Sequence, residues 1–162
     1  MNSMIQMDTD VQDASSHLCF FDIYDKHSFK QPARTTWING WKVEYMAIAQ
    51  PETAHLTPIV IIGGAFQNFN SYKYCVEQLF RAGPIILIDM PSMGANQQMS
   101  NVETGESAGT LELHDLGQML GNWLDIVGLD KVSVMGMSLG SVVASCLADQ
   151  RPELIDRMIL MG

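Results

Sequence analysis

The chain reads as an α/β domain, a doubly wound and mostly parallel sheet with an antiparallel hairpin at its N-terminal end. Three observations predict this. Four short runs are almost wholly apolar: Ile59-Val60-Ile61-Ile62, Ile85-Ile86-Leu87-Ile88, Val132-Ser133-Val134-Met135 and Met158-Ile159-Leu160-Met161. Such runs belong to parallel strands covered on both faces. Between them, apolar residues recur at helical spacing, and strands alternating with helices imply right-handed crossovers. Ahead of them, the turn dipeptide Asn39-Gly40 joins two strand-like runs.

Each element has its own signals. Residues 1–33 are polar and irregular except for Leu18-Cys19-Phe20-Phe21. A disordered leader and a strap over the domain both fit them, and the domain proper is expected over 34–162. Thr35-Thr36-Trp37-Ile38 and residues 41–48 form the hairpin, the second run alternating as a strand with one wet face does. Residues 50–57 are a loop. The first buried strand stops at Gly63-Gly64, and Tyr72, Cys75, Val76, Leu79 and Phe80 then mark a helix that Gly83-Pro84 ends. The second buried strand closes at Asp89. Residues 90–110, rich in Gly, Asn, Gln and Ser, form a loop whose length points to a functional or mobile segment. Thr110 is the expected N-cap of the next helix, with Glu112 near its positive end. Leu113, Leu116, Leu120, Trp123, Leu124 and Val127 are its apolar face, and Gly128 is its stop. After the third strand, Val142, Val143, Cys146 and Leu147 are the expected inner face of a helix ended by Pro152, and Met158 to Met161 is a fourth buried strand.

Composition excludes several classes. With 162 residues, 47% hydrophobic and 17% charged, the chain can bury a core as one domain. Its net charge of −9 and scattered basic residues argue against nucleic acid and anionic membrane surfaces as partners. Cys19, Cys75 and Cys146 are odd in number and far apart, so neither a disulfide framework nor a zinc site is expected. No basic-then-apolar leader opens the chain, and no apolar run approaches the ~20 residues that cross a bilayer. A cytoplasmic location is expected.

The chemistry concentrates at Gly136-Met137-Ser138-Leu139-Gly140, between an apolar strand and a helix. A serine raised on a sharp strand-to-helix turn needs small residues two positions away on each side, because strand and helix pass close there. Such a serine is a candidate nucleophile for acyl transfer. It then needs a base and donors for the developing oxyanion. The Leu139 N–H, in the first turn of the helix, is one donor, and a second is expected from the loop after the first buried strand.

Four motifs in order carry a resemblance: residues 59–64, then Asp89-Met90-Pro91-Ser92-Met93-Gly94, then 135–141 around Ser138, then Arg151-Pro152-Glu153 before a strand. Together they resemble the α/β-hydrolase fold superfamily over about 36–162. The resemblance implies Ala65 as the second oxyanion N–H, with Phe66 as the alternative, and Tyr72 at a position where the family often has an aromatic. Gly63, Ser92, Met137 and Ser141 depart from the family's more frequent His, Gly, His and Gly. The His-less oxyanion loop is also similar to the acyltransferases that make rhamnolipid precursors. Asp89 precedes the nucleophile and is read as holding its loop, because the family's order is Ser, acid, His. His17, His27, His55 and His114 all precede Ser138 and read as solvated surface residues. The resemblance therefore implies a fold that stops after about the sixth strand, as in the N-terminal part of a longer hydrolase, with acid and histidine beyond Gly162. What it implies functionally is a serine hydrolase of an ester, thioester or related small acyl substrate, needing no metal or organic cofactor, with the 162 residues alone inactive. An acyltransferase or haloperoxidase-like activity on the same serine, and a non-catalytic binding module, are the alternatives.

Overall fold

A computed structural model describes residues 20–24 and 33–162. Seven strands form one sheet: β1 (Asp22–Ile23), β2 (Arg34–Ile38), β3 (Trp41–Ala49), β4 (Ile59–Ile62), β5 (Ile85–Asp89), β6 (Val132–Met137) and β7 (Ile155–Met161). Their order is β1-β3-β5-β4-β6-β7, with β2 also on β3. β3 runs antiparallel to β2 and β5, whereas β5, β4, β6 and β7 pair parallel. Among the described residues three helices cross over: α1 (Lys73–Leu79), α2 (Leu113–Val127) and α3 (Leu139–Gln150). The doubly wound, mostly parallel arrangement with an N-terminal hairpin is thus the one the apolar runs predict.

The period of two in a strand divides the core. Val60, Ile62, Ile86, Ile88, Val132 and Val134 face α2 and α3, while Ile61, Ile85, Leu87 and Met135 face α1. Leu116, Leu120, Trp123 and Leu124 of α2 are buried against the first set. Burying each stabilises the fold by roughly 1.5–3 kcal/mol. Asn39 and Gly40 take φ of 49° and 78°, both left-handed as a type I′ hairpin turn requires. Gly128 closes α2 in the left-handed region. The Leu129 N–H reaches the Leu124 C=O at 2.9 Å and the Gly128 N–H reaches the Asp125 C=O at 3.2 Å, the Schellman pattern.

Several expectations need correction. The cap of α2 is Glu112, not Thr110: Glu112 and Asp115 cap each other's backbone N–H reciprocally, and Thr110 sits in a preceding 3₁₀ turn. Leu113 is exposed. On α3 the inner face is Gly140, Val143, Ala144 and Leu147, leaving Val142 exposed and Cys146 only half-buried. β3 is wetted at Lys42 and Glu44 only, because its second half packs into the core on both faces, Tyr45, Ala47 and Ala49 on one and Met46 and Ile48 on the other. β7 is not buried: Met158 to Met161 are all exposed on both faces, Ile159 by 53%, since β7 is the outermost strand of the described sheet.

Part of the stretch expected to be irregular belongs to the sheet. β1 adds Asp22 and Ile23 alongside Ile48 and Ala49, with Phe21 and Tyr24 buried. Arg34 fixes it through Asp22 at 2.7 Å and the Phe20 C=O at 2.6 Å. The other residues of 1–33 lie outside those described, apart from Ala33. Among the described residues no helix is long and apolar enough to cross a membrane.

Candidate active site

The elbow is built where β6 becomes α3. Ser138 has φ 50° and ψ −119°, a conformation that costs a non-glycine residue of order 1–3 kcal/mol. Close packing around it imposes that conformation. A Cβ at Gly136 would stand 2.5 Å from the Gly140 oxygen and 2.6 Å from the Ser141 Cα. One at Gly140 would stand 2.6 Å from the Gly63 oxygen and nearer still to the Ile62 oxygen. Both glycines of the motif are thus required by backbone crossing backbone, as the spacing predicts. The Ser138 N–H donates to the Met161 C=O at 2.7 Å, tying the elbow to the end of β7. Ser141, where the family often has Gly, puts its hydroxyl 2.9 Å from the Gly136 oxygen and 2.7 Å from the Met161 oxygen. It bridges the ends of the same two strands.

The loop after β4 approaches from the other side. A Cβ built on Gly64 would lie 3.3 Å from the Ser138 Cβ. Gly64, Ala65, Phe66 and Gln67 line, with Met137, Ser138, Met161 and Gly162, a cleft of about 340 Å³. The predicted nucleophile therefore meets Ala65 and its alternative Phe66 at one cleft, which Leu139 does not line. Phe66, the alternative donor residue, presents an aromatic side chain that is 89% exposed. Leu139 opens α3, and first-turn N–H groups have no intrahelical partner.

Residues 90–110 are folded down rather than loose. Asn101 is buried: its Nδ2 donates to the Asn39 C=O at 2.8 Å and its Oδ1 accepts from the N–H groups of Glu103 at 2.8 Å and Thr104 at 3.1 Å. Asn96, also buried, donates to the Asp89 C=O at 2.9 Å. The loop also touches the site, since the Ala65 C=O accepts from the Gly94 N–H at 3.3 Å and from Gln97 Nε2. Asp89 is buried beneath Gly94, whose backbone approaches so closely that a Cβ there would overlap the Asp89 carboxylate. Ser92 has φ 62°, the region that favours the glycine it replaces.

Tyr72 is buried beside Gly63 with its hydroxyl 3.3 Å from Gln67 Oε1. Burial first, then the Asp89 and Cys75 charges, push its pKa well above the ordinary phenol value, so it keeps its proton. The Arg-Pro-Glu motif joins α2 to the approach of β7. Arg151 grips Asp125 through two bonds of 3.0 and 3.1 Å and Glu153 through one of 2.5 Å. Hydrogen bonds to Arg151 hold both carboxyls below their usual range.

The described histidines stand elsewhere. His55 shares a cleft with Gly128, Leu129 and Lys131, ahead of the starts of β4 and β6, whereas Ser138 follows the end of β6. The His114 C=O accepts from Gln150 at the far end of α3. Twelve residues of helix put that end ~18 Å from Ser138. His17 and His27, like Cys19, lie outside the described residues. Cys75 and Cys146 are free thiols, and among the described residues no group of His, Cys, Asp and Glu could hold a metal. Sequence reasoning missed Gln67, Asn96, Gln97 and Asn101. They act through a few side-chain hydrogen bonds within loops, which leave no periodic signal.

A profile of the alpha/beta hydrolase fold matches residues 57–162, more than half of the chain, and the chain belongs to that family. No curated protein matches the sequence. Solved structures agree on the fold. A hydrolase from Pseudomonas aeruginosa superposes with a TM-score of 0.68 at 19% identity, over 81% of this chain and 46% of that one. A meta-cleavage product hydrolase from Pseudomonas fluorescens gives 0.65 at 18%, over 80% and 44%. The structure of a carboxylesterase study of the thaumarchaeon Nitrososphaera gargenis gives 0.61 at 20%, over 80% and 44%. The chain spans less than half the length of these structures.

Proposed function

We propose that the protein is a serine-nucleophile hydrolase of an ester, thioester or related acyl substrate, with Ser138 as the attacking group. The observation that carries this reading is the backbone of Ser138. A serine held at φ 50° between two glycines that admit no Cβ is a costly arrangement for a mere helix cap. Its side chain makes no cap hydrogen bond to α3.

In the reaction, Ser138 Oγ bonds to the substrate carbonyl carbon as the carbonyl π pair moves onto oxygen. The N–H groups of Leu139 and Ala65 receive that oxyanion, and the seryl proton passes to a base. When the tetrahedral species collapses, the alkoxide or thiolate departs with a proton, and water then releases the acid from the acyl-serine. Such donors act mainly through charge that develops in the transition state, so they raise the rate more than the binding. Among the described residues His55 and His114 stand away from Ser138, and on the family's order of Ser, acid, His we assign the base and its acid to residues beyond Gly162. Alone, the 162 residues should turn over poorly. Met137 and exposed Phe66 beside Ser138 favour an apolar acyl group in the cleft.

Hydrolysis of p-nitrophenyl esters of graded chain length, by protein expressed from its complete reading frame, tests the proposal. Ser138→Ala should lower kcat/KM by about 10⁴-fold or more. Equal rates in the two proteins would dismiss Ser138 as the nucleophile.

A further inference from the structure

Gly63 carries no side chain, and another residue fills the space where one would begin. A Cβ at Gly63 would lie 2.6 Å from Tyr72 Cζ and closer still to the hydroxyl oxygen. The phenol stands where a side chain at 63 would begin. It does not stand alone. Gln67 Oε1 takes the Tyr72 hydroxyl at 3.3 Å and the Gly64 N–H at 2.7 Å. The Gln67 backbone N–H in turn donates to the Gly64 C=O at 3.2 Å. One residue therefore grips Gly64 at both its N–H and its C=O.

That grip has a directional consequence. The Gly64 C=O and the Ala65 N–H belong to the same peptide plane, and in a trans peptide they point in opposite directions. Holding the Gly64 oxygen toward Gln67 turns the Ala65 N–H away from it. The Gly94 and Gln97 donors hold the next carbonyl, that of Ala65. The peptides on either side of Ala65 are thus both fixed, one by Gln67 at the cleft wall and the other by Gly94 and Gln97.

We propose that Gln67 and Tyr72 form a positioning pair that sets the direction of the Ala65 N–H, with Gln67 clamping Gly64 and the Tyr72 hydroxyl bracing Gln67. This rests on the reading of Ser138 as nucleophile and of Ala65 as an oxyanion donor. Tyr72 does not line the cleft, whereas Gln67 does, and its part here is the clamp on Gly64. A buried phenol that stays protonated is a permanent donor, so the brace does not switch across the working pH range.

The test uses Gln67→Leu, Tyr72→Phe and the double variant in protein from the complete reading frame, labelled with a fluorophosphonate. Each single variant should lower the maximal labelling rate at Ser138 about tenfold, less than the 10²–10³ lost with an oxyanion donor itself, while the half-saturating probe concentration stays the same. The double variant should be no slower than Gln67→Leu, because the phenol acts only through Gln67. A purely structural role would instead lower the unfolding midpoint and leave the labelling rate of the folded fraction untouched. Gln67 is half-buried, so its variant tests the clamp even if Tyr72→Phe does not fold. Wild-type labelling at Ser138 with unchanged rates in the folded variants overturns the positioning pair alone. A wild type that takes no label at Ser138 removes the nucleophile reading and the pair's role with it.

Discussion

Gly140→Ala puts one methyl group where two backbone strands cross. The new Cβ would meet the Gly63 oxygen at 2.6 Å and the Ile62 oxygen nearer still, and neither is the end of a flexible side chain. Ordinary contact lies near 3.4 Å, so the start of α3 and the end of β4 must separate by about 1 Å, and overpacking of this kind costs about 1–3 kcal/mol. With a urea m-value of about 2 kcal/mol/M, the unfolding midpoint should fall by roughly 0.5–1.5 M. The same displacement would carry Ser138 away from the Gly64–Ala65 peptide, and misplacement of ~1 Å costs on the order of 10²-fold in rate. Far-UV circular dichroism against urea measures the first effect and fluorophosphonate labelling the second. Gly109→Ala is the control, since its Cβ would meet only Ser107 Oγ at 3.6 Å and its backbone does not require glycine. A Gly140→Ala protein that unfolds at the wild-type midpoint and labels at the wild-type rate would refute the argument that close packing builds the elbow.

Asn101→Ala would strip partners from the Asn39 carbonyl and the N–H groups of Glu103 and Thr104. A loss of about 1–3 kcal/mol is expected. Limited proteolysis should then cut within residues 97–107, while wild type resists there. Asp125→Asn tests the Arg151 cluster. The Asp125 pKa is lowered in the fold, so its contribution is present above the ordinary value of 3.8 and lost as pH falls through the folded value. The midpoint difference between Asp125→Asn and wild type should therefore be visible at pH 7 and shrink as pH falls below the ordinary carboxyl value, in urea titrations at neutral and acid pH.

How far the sequence reveals this molecule depends on the kind of force at each position. The strands at 59–62, 85–89 and 132–137 were legible because burial on two faces demands unbroken apolar residues. Met158 to Met161 carry the same pattern yet lie exposed, since an apolar run reports the environment a strand suits and not the neighbours it has. Gly136 and Gly140 were legible because only missing side chains permit the crossing. Glu112 was missed as a cap because its partnership with Asp115 competes with the better-known Thr cap. Ala144 replaces Val142 on the inner face of α3 because the apolar stripe there is broad enough for more than one helical phase. Ser92 stood out in the sequence as a departure, but its left-handed backbone shows only in three dimensions. Gln67 left no trace at all: its grip on Gly64 depends on a turn of three residues, and glutamine there is ordinary by composition.

Ser138 as the reacting residue is the central claim. Protein from the complete reading frame, treated with a fluorophosphonate and digested, should show by mass spectrometry one phosphonyl group per chain, carried by Ser138, and none in Ser138→Ala. An adduct on another residue, or on none, would contradict it.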